Sequence, residues 1–301
     1  VSPSIYDACF DRRIPVVQTL HNYRFLCANG ILYRNKSPCD KCLKAGFMQS
    51  IFYKCYHGSR FFSLICFRIL SEIKKNQVLL KKISYFISPS EFCRKKHVEA
   101  GIPREKVFVK PHFLYNDPGL KETDKKHLLF VGALRDYKGV KTLIDAFRTC
   151  QNSRLRIIGD GPIKEELKQF ARGLNNIEFL GHLSHDAAIT EIGKALFVIF
   201  PSSCYETFGR SIIEAFACGV PVIVSDAGAA KELIEPGVTG LTFKANDSFD
   251  LAKKIRLLMN DNGLIHEMGN NARKVYEDRY TMSRNYEEIM KIYDAAITGN
   301  G

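Results

Sequence analysis

Two glutamates define the chemistry this chain could do. Glu206 and Glu214 stand in the stretch FPSSCYETFGRSIIEAFACGVPVIVSD, residues 200–226, with seven residues between them. The stretch predicts an apolar strand ending near residue 200 and a polar loop holding Glu206, then Phe208 with Gly209. A short helix carrying Glu214 and closing at Gly219 follows, and then a second buried strand over 221–224. Carboxylates accept hydrogen bonds from hydroxyls, and a helix start offers backbone N–H groups to a phosphate. Together they suit a phosphorylated, hydroxyl-rich ligand.

Such a site needs a scaffold that gathers strand ends. Short apolar runs recur at 127–131, 155–158, 177–180, 196–200, 222–224 and 241–243. The first five precede helical patterns near 138–149, 163–172, 184–193, 208–218 and 229–234. Three more helices are expected near 248–259, 264–278 and 282–298. Strands alternating with helices mean βαβ units, and short, wholly apolar strands mean a parallel sheet covered on both faces. The expectation is an α/β, Rossmann-like domain over 127–280, with a helix at 281–301 packing back on the preceding domain. Ligands of such sheets lie beyond the carboxyl ends of the strands. At those exits stand Gly132, Arg135, Lys138 and Gly139, then GDGP with Gly161, then Gly181 and His182, then the Glu206–Glu214 segment. Cations and helix N-termini take phosphate, so the set points to a nucleotide sugar, with glycines at 159 and 161 letting it approach the backbone. A dinucleotide dehydrogenase is the competitor. However, GDGP is not the G-x-G-x-x-G fingerprint, and it follows the second strand of the domain.

The preceding region, 1–115, differs in kind, and a linker is expected at 116–126. Strands are predicted at 15–20, 83–88 and 107–110, and a helix from residue 90 to 101 with Ser90 as N-cap. His21 leaves the C-terminal end of the first strand. Residues 61–82 read as a helix whose apolar stripe either packs in the core or faces a membrane. Three strands are few for a doubly wound domain and the sequence opens on Val1, so this domain is expected to be incomplete at its N-terminus. Within it, the insertion 22–60 has little periodicity and holds Cys27, Cys39, Cys42 and Cys55. Four thiolates with a C-x-x-C at 39–42 could close a structural zinc site; the alternative is a reduced, irregular insertion without metal. The other six cysteines are read as small buried hydrophobes.

The formal net charge of +12 sits entirely in the first part: residues 1–120 hold 20 Lys and Arg against 8 Asp and Glu, and residues 121–301 hold 24 of each. A basic face attracts polyanions. No nucleic-acid motif accompanies it, which favours an anionic membrane surface over nucleic acid. No apolar run reaches the roughly 18–20 residues of a membrane span. With ten cysteines and no signal-like opening, a reducing, cytoplasmic setting is expected, peripheral on the inner membrane face.

These motifs, in order, resemble the retaining glycosyltransferases of family four, which have the GT-B architecture of two Rossmann-like domains facing across a cleft. Glu206, seven residues and Glu214, with Phe208 and Gly209 inside, match that family's paired-glutamate motif. VGALRDYKG, IIGDGP, AFACGVPVIVSD and GVTGLTF follow the family pattern, and TLHNYRFLCANG with the cysteine loop resembles a polysaccharide- and O-antigen-type subset. The resemblance implies Glu206 and the Phe208 and Gly209 amides on the donor sugar, Glu214 on the ribose, Lys138 on the diphosphate and His21 by the transferred sugar. It also implies that no metal cofactor is required. Arg135 would replace the arginine usual at Ala133. The implied reaction moves a hexose from a nucleoside-diphosphate sugar to a lipid-linked or polysaccharide acceptor with retention. Other readings are an inactive nucleotide-sugar-binding protein and, more distantly, a zinc-containing nucleic-acid-binding module.

Overall fold

The computed structural model describes residues 4–75, 77–120 and 126–299; of the expected linker, residues 121–125 lie outside them. The chain divides into two compact units, one of residues 1–111 with 285–301, the other of residues 112–284.

The first unit opens with helix α1 (Ser4–Asp11) and strand β1 (Val17–Thr19). A small antiparallel hairpin follows, β2 (Tyr33–Arg34) with β3 (Ser37–Pro38), then helices α2 (Lys41–Ala45), α3 (Gln49–Phe52), α4 (Arg60–Lys75) and α5 (Val78–Lys82). Strand β4 (Tyr85–Ser88), helix α6 (Glu91–Glu99) and strand β5 (Val107–Val109) complete a three-stranded parallel sheet in the order β1-β4-β5. Ser90 caps α6 as expected, its Oγ accepting from the Cys93 amide at 3.1 Å. The insertion is more ordered than its lack of periodicity suggests. Tyr23, Leu26 and Leu32 are buried, and short backbone bonds such as Tyr23 N to Gly30 O and Cys39 N to Leu32 O fold it on itself.

One expectation is corrected here. The helix predicted over 61–82 is two helices, and its apolar stripe is not a core face. Phe61, Phe62, Ile65 and Ile69 are exposed, while α4 buries Ser63 and Leu70. The scattered cysteines are also mixed: Cys93, Cys150, Cys204 and Cys218 are buried, but Cys9 and Cys66 only partly.

The second unit follows the predicted alternation closely. Strands β6 (His127–Val131), β7 (Leu155–Ile158), β8 (Ile177–Gly181), β9 (Ala195–Phe200), β10 (Val222–Ser225) and β11 (Gly240–Phe243) form one sheet in the order β11-β10-β9-β6-β7-β8. All pairings are parallel. Helices α7 (Val140–Phe147), α8 (Lys164–Phe170), α9 (His185–Gly193) and α10 (Arg210–Ala217) fill the crossovers. The helix expected near 229–234 is only a 3-10 turn, Ala230–Glu232. Helices α11 (Ser248–Met259), α12 (Asn262–Arg279) and α13 (Met282–Thr298) end the chain, the last lying mostly in the first unit.

Two apolar cores sandwich this sheet. Leu128, Phe130, Phe197, Ile199 and Ile223 enter one, while Leu129, Val198, Phe200, Val222 and Val224 enter the other. Strand side chains alternate between faces, so runs such as LLF and FVIF must be apolar throughout. Each such side chain, fully buried, contributes roughly 1.5–3 kcal/mol, which makes the sheet a rigid base for the loops at its ends.

Candidate functional site

The strand order creates the site. The chain runs from β6 outward through β7 to β8, then returns to place β9 on the other side of β6 and continues outward to β10 and β11. The loops leaving β6 and β9 therefore diverge, and a crevice opens between them at the topological switch point, where open α/β sheets bind ligands. The β6 exit carries Lys138 and the β9 exit carries Glu206. Their side chains meet, Nζ to Oε1, at 2.6 Å.

Backbone packing fixes both loops. Asp136–Lys138 forms a 3-10 turn ending at Gly139, whose φ is +71°. A Cβ on Gly139 would lie 1.8 Å from the Pro201 carbonyl oxygen, so the left-handed conformation and the close approach both demand glycine. The Ser203 amide donates to the Tyr137 carbonyl at 2.8 Å, and Ser202 Oγ donates to Glu206 Oε1 at 2.5 Å. Phe208 is buried, edge-on to His112 at 5.0 Å and to Tyr280 at 6.2 Å. Its ring is thus a packing element that anchors the start of α10, where Gly209 is the N-cap residue.

The electrostatics are those of a shielded ion pair. The Lys138 and Glu206 side chains are 20% and 17% exposed. Burial pulls the Lys138 ammonium down, but the charge and hydrogen bond of Glu206 outweigh it and hold the lysine above its ordinary value. Glu214, on α10, is buried. Burial raises its carboxyl above the usual range, opposed by Arg210 at 3.2 Å and His185 at 3.9 Å. Ser202, Tyr137, His112, Arg210 and His185 were not foreseen from sequence. Only Ser202 and Arg210 carried a signal, being polar residues close to the strand exit and the helix start.

The remaining expected residues fall as follows. Arg135 is exposed at the start of the Lys138 turn. Gly161 serves a purpose different from ligand approach: its missing Cβ would lie 2.3 Å from the Leu134 carbonyl oxygen, and the Leu134 amide donates to the Asp160 carbonyl at 2.9 Å. The glycine lets the β6 and β7 exit loops pack against each other. His21 is exposed just past β1 in the first unit. In that unit Cys27, Cys39, Cys42 and Cys55 line one small cavity. Burial, joined by the charges of the other three thiols, pushes Cys42 up to about 12; burial with Cys27 and Cys39 pushes Cys55 up to about 11.

A family model described as "Glycosyl transferases group 1" matches residues 115–275. The chain belongs to that family. Among curated relatives of this group 1 glycosyltransferase chain, the uncharacterized glycosyltransferase MJ1178 of Methanocaldococcus jannaschii is 32% identical over 188 residues, covering 62% of this chain and 51% of the relative. The O-antigen chain mannosyltransferase C of Escherichia coli is 32% identical over 175 residues, covering 56% and 46%. The chain thus spans about half the length of the curated relatives it matches. The crystal structure of Anabaena Alr3699/HepE in complex with UDP superposes with a TM-score of 0.75 at 21% identity, covering 97% of this chain and 76% of that one. That likeness shows the fold, an α/β chain with two parallel sheets as in GT-B glycosyltransferases.

Proposed function

We propose that the protein transfers a hexose from a nucleoside-diphosphate sugar to a lipid-linked or polysaccharide acceptor, with retention at the anomeric carbon. The observation that carries this reading is the Lys138–Glu206 pair at the switch point, a cation for a diphosphate beside an acceptor for sugar hydroxyls. Solved relatives by fold include Anabaena Alr3699/HepE in complex with UDP-glucose, and curated relatives include a mannosyltransferase and an alpha-D-kanosaminyltransferase. Both support a UDP- or other nucleotide-hexose donor.

In this reading Glu206 holds the donor sugar with the Phe208 and Gly209 amides, and Glu214 takes the ribose hydroxyls. Arg135 and Gly161 flank the nucleotide, and His21 sits by the transferred sugar. The bond from the anomeric carbon to the phosphate oxygen breaks and one to the acceptor oxygen forms on the same face. The acceptor's proton passes to the leaving phosphate. Lys138 and the start of α10 stabilise the negative charge that builds there. The basic first unit and the exposed apolar face of α4 support an anionic membrane surface, on the inner face of the cell membrane, as the place where a lipid-linked acceptor is met. Among the described residues no helix is long and apolar enough to cross a membrane.

The test is donor turnover. The protein is incubated with UDP-, GDP- and ADP-hexoses, with and without a glycolipid acceptor, and released nucleoside diphosphate is measured. One donor should be consumed by the wild type and not by Glu206→Ala. Equal release by both proteins would remove Glu206 from the site.

A further inference from the structure

The cysteine cavity lies in the first unit and owes nothing to the donor site. Cys27, Cys39, Cys42 and Cys55 come from four separate turns, yet all four line one cavity of about 10 Å³, room for a single small ion or water. Arg34 and Lys41 line the same cavity. Arg34 Nε is buried without a hydrogen-bond acceptor, an uncommon state for a polar group.

We propose that these four cysteines bind one zinc ion as a structural tetrathiolate that locks the 22–60 insertion. The ion exchanges for four thiol protons, which pass to solvent, and the resulting centre carries a net charge of −2. That charge accounts for the two cations in its wall, and a thiolate sulfur is the acceptor that Arg34 Nε lacks. A C-x-x-C pair at 39–42 with one flanking cysteine on each side is the ligand spacing of closed structural zinc sites. Here Cys27 Sγ donates to Asn29 Oδ1 at 2.9 Å. Among the described residues no group of three or more His, Cys, Asp or Glu side chains is already set as a metal cage. Binding must therefore turn the thiols inward, as expected where metal binding and local ordering are one event. The insertion has few other means of order: a two-residue hairpin and two helices of five and four residues.

The test reads metal, not turnover, so its outcome is independent of the donor-site reading. The full chain, purified without chelator, is analysed for zinc, then stripped and titrated with Co²⁺, whose thiolate charge-transfer and tetrahedral d–d bands report a sulfur cage. Expected are about one zinc per chain and a 1:1 cobalt endpoint. Cys42→Ser and Cys55→Ser should lower zinc content at least tenfold, while Cys66→Ser, outside the cluster, stays loaded. Arg34→Met keeps every ligand and should weaken zinc roughly 10–100-fold, the usual loss of an outer-shell partner. A wild-type protein that holds no zinc and takes up no cobalt overturns the proposal. So does zinc content unchanged by Cys42→Ser, or a native protein whose four cysteines are paired as disulfides.

Discussion

Lys138 and Glu206 hold each other in the ligand-free protein, so removing either one should affect stability and turnover in different ways. At 2.6 Å two unit charges attract by about 6 kcal/mol at an effective dielectric of about 20, much of it offset by desolvation of both groups. Lys138→Met leaves the shielded Glu206 carboxylate with Ser202 as a remaining donor. Stranding one member of a buried pair costs 3–5 kcal/mol; with that donor in place, about 2–3 kcal/mol is expected. Glu206→Gln should cost less, about 1 kcal/mol, because the freed ammonium can swing toward solvent. The double variant strands neither charge and should return to within about 1 kcal/mol of wild type. Turnover should not return. Losing a preorganised charge at the leaving group costs about 10²–10³ in rate, and the double variant keeps that loss. Urea denaturation gives the four stabilities of the cycle, and nucleoside-diphosphate release gives the rates. A coupling energy below about 0.5 kcal/mol, or activity regained in the double variant, would refute the reasoning.

Other expectations follow from the same geometry. Burial raises the Glu214 carboxyl, so the folded state binds its proton more tightly and loses stability as pH rises above the unfolded value. Glu214→Gln should therefore melt no lower than wild type at pH 7, yet bind UDP about 10–100-fold more weakly in calorimetry. A lower melting point with unchanged affinity would make Glu214 structural. His97 is fully buried, and burial lowers it from 6.5 to about 4, opposed by its bond to the Cys93 carbonyl. The unfolded chain then takes up the proton first as pH falls, so stability drops between pH 6.5 and 4, by about 2 kcal/mol at pH 5. Denaturation at pH 7.5 and 5.0 checks this, with His97→Gln showing the smaller difference. Gly139→Ala meets both positive φ and the Pro201 carbonyl and should cost about 3 kcal/mol or more, seen as a melting-point loss with weakened UDP binding. Phe61→Asp with Ile65→Asp should abolish sedimentation with anionic vesicles and leave the melting point within a few degrees, because both side chains are exposed.

The second unit was legible almost to the residue. Wholly apolar runs such as HLLFV and LRII, each ended by glycine, allow little but buried parallel strands, and they are observed at those positions. What no local pattern carries is strand order. Nothing between residues 127 and 200 says that β9 inserts beside β6, so contact between side chains 68 positions apart was reachable only through family likeness. The partners of those side chains were equally hidden. Ser202 looks like any polar residue after a strand, and the glycine at 161 reads the same whether a ligand or a neighbouring backbone needs the space. The misread stripe of α4 has a related cause. Apolar residues at 61, 65 and 69 have the same spacing whether the face meets a core or the outside, because the period describes the helix and not its surroundings.

The central claim is that the β6 and β9 exits hold a nucleotide-sugar donor through Lys138 and Glu206. A crystal structure of the protein with a bound nucleoside-diphosphate hexose tests it most directly. The account predicts the diphosphate on Lys138 Nζ, withdrawn from Glu206, with the sugar hydroxyls on the Glu206 carboxylate. A donor bound elsewhere, with the Lys138–Glu206 pair still closed, would contradict it.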